Sequence, residues 1–271
     1  MCELLGMSSN QQTSITLSLS VLADRGANQQ LHGDGWGVAF HEGKDVRLIK
    51  DAGEAKNSKW VEFIKKQEIR SHDVIAHIRK STIGSVCYSN THPFIRELCG
   101  RVHSFAHNGT LSTIHENSLF KAKSYHPIGT TDSEHSFCAL MDRMSELWKR
   151  YDGLPPFEER YEIVKRFAGE MASMGPANFL YSDGDTLFAH GHERTNPFTN
   201  VVSWPGLYYL HMVCKNEDEQ FKNSFATGIA INGQDHTITL FASVPLSDGD
   251  WKPLKKGEIL AVFKGDILPF N

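Results

Sequence analysis

DSEHSFCALMDRMSELWKRYDGLPPFEERYEIVKRFAGEMASMGPANFLYS, from Asp132 to Ser182, carries the longest regular pattern in the chain. Over Asp132–Tyr151 the apolar residues Phe137, Leu140, Met141, Met144, Leu147 and Trp148 recur at three and four residues, which puts them on one face of a helix. Gly153-Leu154-Pro155-Pro156 stops that helix, because proline has no amide to donate and its ring clashes with the preceding turn. A second helix is expected over Phe157–Met174, closed by Gly175-Pro176. The pattern then turns to strands: Asn178–Ser182, a Ser182-Asp183-Gly184-Asp185 turn, and Thr186–His190. Two helices delivered onto a strand pair imply a sheet packed against a helical layer.

On either side of this stretch the chain reads as strands. Downstream these are Gly206–Met212, Gly228–Ile231, Thr237–Ser243 and Ile259–Phe263, with a turn at Asn232-Gly233. Upstream they are Val38–Phe40, Val46–Ile49, Val74–Ile78 and Val102–Ala106, with turns at Asp34-Gly35 and Glu42-Gly43. Ser14–Ala23 and Lys59–Gln67 have helical apolar spacing. Strands, two long helices, then strands again exclude an all-β barrel. The lack of regular βαβ alternation argues against a doubly wound parallel sheet.

Composition narrows the function classes. The chain has 271 residues, 40% of them hydrophobic, and a net charge of −4 with acids and bases interleaved. That supports a substantial core and gives no basic stripe for nucleic acid. No run of eighteen apolar residues suggests a membrane span, and the opening MCELLGMSSN lacks the basic and apolar regions of a signal peptide. The five cysteines (Cys2, Cys87, Cys99, Cys138 and Cys214) are irregularly spaced with no CxxC pair, which points to free thiols in a reducing compartment. A cytoplasmic protein is expected.

Cys2 follows the initiator methionine. Methionine removal is favoured before a small residue and would leave one residue with both a thiol and an α-amine. Their ordinary pKa values, about 8.5 and 7.7–8.0, are matched well enough for the amine to serve as base to the thiol. Four short polar clusters, three of them containing glycine, stand out against the expected strands. The first is His32-Gly33-Asp34-Gly35-Trp36-Gly37, whose glycine spacing fits neither a dinucleotide fingerprint nor a P-loop. The second, Ala76-His77-Ile78-Arg79-Lys80-Ser81-Thr82, has an arginine leaving a strand, able to offer a planar fork to a carboxylate or to form a surface ion pair. The third pairs Thr91-His92-Pro93-Phe94 with Ala106-His107-Asn108-Gly109-Thr110-Leu111. There Asn-Gly is a simple turn or an oxyanion hole made of a side-chain amide and a backbone N–H. In the fourth, Gly129-Thr130-Thr131-Asp132-Ser133-Glu134-His135, Asp132 is placed to cap a helix or to meet an ammonium group.

The order of these motifs, N-terminal Cys, Gly-Asp-Gly, strand–Arg, His-Pro, strand–His-Asn-Gly and Thr-Asp-Ser-Glu, closely resembles the glutaminase domain of class II glutamine amidotransferases. These belong to the N-terminal-nucleophile (Ntn) hydrolases. The likeness runs motif by motif through about the first 140 residues. Ala242-Ser243-Val244-Pro245-Leu246 also resembles a C-terminal motif of the stand-alone YafJ-like branch. The resemblance implies an α+β fold, a four-layer αββα sandwich of two antiparallel sheets, formed as a single domain over 1–271, with Cys2 opening a central strand. It implies that Cys2 is the nucleophile, that Asn108 and Gly109 form the oxyanion hole, and that Arg79 with Thr82 binds the substrate α-carboxylate. Asp132 is then the carboxylate for the α-ammonium. One departure is plain: better-known members carry Arg-Trp-Ala-Thr-His where this chain has Arg79-Lys80-Ser81-Thr82-Ile83.

The expected reaction cleaves the γ-amide of glutamine to glutamate and ammonia through a γ-glutamyl thioester, with no cofactor and no metal. About 130 residues follow the matched region, and no phosphate-sugar or nucleotide module is visible among them. Either a separate protein accepts the ammonia, or the substrate is a γ-glutamyl conjugate hydrolysed without an acceptor. A metal-dependent hydrolase is the competing class, prompted by fourteen histidines and His190-Gly191-His192, but no HExxH or zinc-spaced cysteine pair occurs. A non-catalytic binding protein would be expected to have lost part of the Cys, Arg, Asn-Gly and Asp set.

Overall fold

The computed structural model describes residues 2–15, 33–56, 58–81, 83–196, 199, 201–214 and 236–269, and of Cys214 the backbone alone. The first antiparallel sheet has the order β13 (Lys252–Pro253), β11 (Tyr208–Cys214), β12 (His236–Ala242), β1 (Glu3–Ser14), β4 (Arg70–Ile78), β2 (Trp36–Glu42), β3 (Asp45–Asp51). The second runs β15 (Asp266–Ile267), β14 (Ile259–Phe263), β8 (Leu187–His190), β7 (Ala177–Ser182), β6 (Arg101–Gly109), β5 (Phe94–Leu98). A small hairpin pairs β9 (Arg194–Thr195) with β10 (Val202–Ser203). The described helices are α1 (Lys59–Gln67), α2 (Asp132–Trp148) and α3 (Phe157–Ala172), with short 3-10 turns at Tyr88–Asn90 and Ser118–Phe120.

Strand alternation sorts the side chains into three cores. Leu5 and Met7 of β1 pack with Val61 and Ile64 of α1 on the outer face of the first sheet. Leu4 points the other way, into a middle cluster with Ile75, Ala106, Leu180 and Phe241 between the sheets. Phe105, Phe179 and Tyr181 face α2 and α3, where Phe137, Val164 and Phe167 meet them. Phe105 stacks on Phe137 with ring centroids 5.3 Å apart. Each such buried ring or aliphatic side chain contributes roughly 1.5–3 kcal/mol of hydrophobic stabilisation. The layers therefore run α1, first sheet, second sheet, α2 with α3, the αββα sandwich expected. The sheets approach so closely that a Cβ on Gly6 would stand 2.9 Å from Leu180 Cδ1.

Local chemistry sets the helix ends. Thr131 caps α2, its hydroxyl accepting from Glu134 N at 3.2 Å, so Asp132 is the first helical residue and not the cap. Its carboxylate is thereby left for other partners. The helix stops at Trp148, where tight turns from Arg150 N to Leu147 O and Tyr151 N to Trp148 O replace helical bonds before the prolines. α3 likewise ends at Ala172, two residues short of the expected Met174.

Ser14–Ala23 does not start as a helix. Ser14 closes the twelve-residue β1, and residues 16–23 lie outside the described residues. The distal half of β1, Ser8–Ser14, is polar yet buried at several positions, so its strand character is hidden from an apolar pattern. Its polar groups are satisfied internally: Ser9 Oγ and Thr13 Oγ1 meet His236 Nε2 at 2.6 and 3.0 Å. The expected strand Gly228–Ile231 and the Asn232-Gly233 turn also lie outside the described residues.

Candidate active site

Cys2 stands just ahead of β1, between β12 and β4 in the sheet order. Because Glu3 pairs with Ile78, the segment leaving β4, Arg79-Lys80-Ser81, passes beside Cys2. Lys80 N donates to Cys2 Sγ at 3.2 Å, and the thiol lies 3.3 Å from Lys80 O. Burial pushes the Cys2 thiol above its ordinary pKa, opposed by the Lys80 backbone hydrogen bond and the charge of Arg79.

Asn108 and Gly109 end β6, in the facing sheet. Asn108 Nδ2 donates to Cys2 O at 2.7 Å and to Ser243 Oγ at 3.2 Å. Both amide hydrogens are thus engaged, so a substrate oxygen would take this donor in exchange for one of them. Asn178, opposite on β7, donates to Asn108 O at 3.3 Å and to Glu193 O at 2.7 Å, fixing the strand end from behind. Glycine is required at 109, since a Cβ there would lie 1.7 Å from Pro176 O.

Arg79 is 2% exposed. Its guanidinium donates to the carbonyl oxygens of Asp34, Ser85, Ile83 and Gly84 and to Ser81 Oγ, at 2.9–3.3 Å. No carboxylate pairs with it among the described residues. Asp132 is 4% exposed and accepts from Leu111 N at 2.7 Å through Oδ2, while Ser133 Oγ lies 3.5 Å from Oδ1. It too has no Lys or Arg partner among the described residues.

The two charges are tied together by Asn90. Its Nδ2 donates to Ser85 O at 3.0 Å and to Thr130 Oγ1 at 3.2 Å, and its Oδ1 accepts from Thr130 N at 2.7 Å. Ser85 O is also an acceptor of Arg79, and Thr130 leads into the α2 cap. Buried ionisable groups without a full opposite charge beside them are costly unless a ligand completes them. An α-amino acid zwitterion carries the complementary pair.

Thr82 lies outside the described residues. Three residues without an assigned part also join the site. Asp34 Oδ2 accepts from Ser81 N at 2.8 Å and stands 3.8 Å from Lys80 Nζ, so the Gly-Asp-Gly turn braces the segment against the thiol. Asn90 links the two charged groups, and Ser243 receives Asn108. Asp34 and Ser243 sat inside quoted motifs, whereas Asn90 carried no sequence signal. Among the described residues no group of three or more His, Cys, Asp or Glu could hold a metal ion. His190 and His192 stack with centroids 6.0 Å apart, and His190 Nδ1 bonds Ala177 O at 2.6 Å.

Comparison with known proteins gives the same direction. The family model described as glutamine amidotransferases class-II matches residues 1–271. The putative glutamine amidotransferase YafJ of Escherichia coli is 33% identical over 259 residues, covering 95% of this chain and 96% of that one. A crystal structure of a predicted glutamine amidotransferase from Pseudomonas aeruginosa superposes with a TM-score of 0.66 at 30% identity, over 99% of this chain and 100% of that one. The glutamine phosphoribosylpyrophosphate amidotransferase of B. subtilis aligns with 98% of this chain and 48% of its own, at a TM-score of 0.58 and 14% identity, a likeness of fold alone.

Proposed function

Because the chain belongs to the class II glutamine amidotransferases, we propose that Cys2 is its nucleophile and that it hydrolyses the γ-amide of glutamine. Removal of Met1 leaves Cys2 with a free α-amine. The amine takes the thiol proton as sulfur adds to the amide carbon. The tetrahedral oxyanion is held by the Asn108 side-chain amide and by Gly109 N–H. The C–N bond breaks with the proton returned to nitrogen, and ammonia leaves. Water then attacks the γ-glutamyl thioester, releasing glutamate and restoring the thiol.

In this reading Arg79 and Thr82 receive the substrate α-carboxylate and Asp132 its α-ammonium. The observation that carries it is the pair of buried groups Arg79 and Asp132, linked through Asn90, with no carboxylate paired to Arg79 and no Lys or Arg paired to Asp132 among the described residues. Residues 1–271 act as one domain in the cytoplasm, without cofactor or metal. The ammonia passes to a separate accepting protein. No helix among the described residues is long and apolar enough to cross a membrane.

Lys80 favours a second reading. It contributes the backbone that touches Cys2 Sγ, and its side chain is a cation 3.8 Å from Asp34 Oδ2 where better-known members carry an enclosing aromatic. A site so lined admits a γ-glutamyl conjugate larger than glutamine, hydrolysed with no acceptor. A screen of glutamine and γ-glutamyl amides, with the N-terminal mass determined on the same sample, tests both. Glutamate release by protein lacking Met1 is expected. Full activity in protein that retains Met1, or in Cys2→Ala, would refute the nucleophile.

A further inference from the structure

We propose that Ser243 and Arg194 are positioning residues that hold Asn108 and the start of β1 in register for the reaction. This rests on the oxyanion role given to Asn108 above. Regular pairing of β1 with β12 reaches Leu5 and Ala242. One residue further, Ser243 N still donates to Leu4 O at 3.1 Å. The return bond is different: Leu4 N donates to the hydroxyl Ser243 Oγ at 2.9 Å. The Ser243 main-chain oxygen is taken instead by Arg194 Nη1 at 2.9 Å.

A side chain therefore completes the ladder at the point where the nucleophile's strand begins. Only a side chain can also reach across to the other sheet, and this one does, accepting from Asn108 Nδ2 at 3.2 Å. Ser243 is fully buried, so water does not replace either contact. Its two lone pairs serve the strand that follows Cys2 and the amide that faces Cys2.

Arg194 locks the same corner from outside. Its Nη2 pairs with Glu3 Oε1 at 3.1 Å, with side chains 15% and 10% exposed. One guanidinium thus joins the end of β12 to the residue after Cys2, and its planar fork suits two acceptors at once. The amide plane of Asn108 is fixed by two acceptors, Cys2 O and Ser243 Oγ. Loss of the second frees the group that must meet the oxyanion, with no loss of substrate contacts.

The test is a double-mutant cycle in glutamine hydrolysis, with parent, Ser243→Ala, Asn108→Ala and the double variant. Ser243→Ala is expected to lower kcat about tenfold with KM within about twofold. In the Asn108→Ala background it should change kcat by less than about twofold. Arg194→Gln should lower kcat in the same direction, and Arg194→Lys should recover only part. Equal losses in both backgrounds, or an unchanged kcat in Ser243→Ala, would overturn the proposal. If the alanine variant does not fold, the Thr and Val replacements of Ser243 decide it. Thr keeps the oxygen and should retain activity, Val should not, and equal activity of the two refutes the hydroxyl's part. An unimpaired Asn108→Ala would sink the oxyanion reading itself, whereas an impaired Asn108→Ala with no coupling sinks this inference alone.

Discussion

Asn108 Nδ2 lies 2.7 Å from Cys2 O, a hydrogen bond between residues 106 positions apart that joins the two sheets at the thiol. Asn108 therefore holds the backbone of Cys2, and in the proposed mechanism it also supplies a donor to the oxyanion. Asn108→Ala should lower kcat by ~10²-fold, the usual scale for losing one oxyanion donor. KM for glutamine should change little. A raised KM at unchanged kcat, measured by steady-state glutamate release, would contradict the oxyanion role.

Arg79 and Asp132 should behave otherwise. Both are buried charges whose counter-ions are proposed to arrive with substrate, so their loss is felt on binding. Arg79→Lys keeps the charge but loses the fork, and Asp132→Asn keeps the shape but loses the charge. Each should raise KM at least about tenfold, the factor equivalent to ~1.4 kcal/mol. Isothermal titration of glutamine into the Cys2→Ala background separates binding from turnover. Unchanged affinity in both variants would remove them from the substrate site.

Gly109 is constrained by space. A Cβ there meets Pro176 O at 1.7 Å and His107 Nε2 at 2.6 Å, and the first of these is backbone that cannot swing away. Gly109→Ala should force β6 from β7 and cost roughly 1–3 kcal/mol, the range for overpacking. A thermal midpoint equal to the parent's would show that the strands can separate at no cost.

These predictions rest on groups that the sequence exposed to different degrees. Helices α2 and α3 were legible because Phe137, Leu140, Met141 and Met144 face one core at helical spacing. Central strand β1 was not legible from pattern, since Ser8, Ser9, Thr13 and Ser14 are buried by polar pairing. Its start at Cys2 came from family resemblance alone. Sequence left Asp132 open between capping α2 and meeting an ammonium group, and the capping task falls to Thr131, which accepts from Glu134 N. Asn90 could not be found from sequence: its value lies in contacts to Ser85 and Thr130, five and forty residues away, that only the fold brings together.

The Cys2 thiol offers a pH test. Burial raises its pKa, so less thiolate is present at neutral pH than for an exposed cysteine. Alkylation of Cys2 by a glutamine-like electrophile should keep accelerating as pH rises beyond the range where a free cysteine has levelled off. Peptide mapping would follow Cys2 alongside a free cysteine peptide added to the same sample. If the Cys2 rate levels off where that of the free cysteine does, the buried environment of Cys2 has been misjudged.

Asp73 supplies a stability test away from the reaction. It pairs with Ser8 in the β1–β4 register, five residues along β4 from Ile78, and its Oδ1 is buried without a hydrogen-bond partner. Burial pushes its pKa from 3.8 up to about 7, aided by the charges of Asp183 and Asp185 and opposed by a hydrogen bond from Ser8. A folded pKa above the unfolded one means the folded state binds the proton more tightly. The resulting stability is fully present below about pH 4 and is lost as pH rises through about 7. His41 and His103, lowered to about 4 by burial, act with the opposite sign, losing stability as pH falls from 6.5 toward 4. Their contribution is common to parent and variant and cancels in the difference. Asp73→Asn should therefore gain in thermal midpoint relative to the parent between pH 5 and pH 8, at ~2–4 °C per kcal/mol for a chain of this size. A difference between variant and parent that stays constant across that interval would show that Asp73 ionises freely in the folded protein.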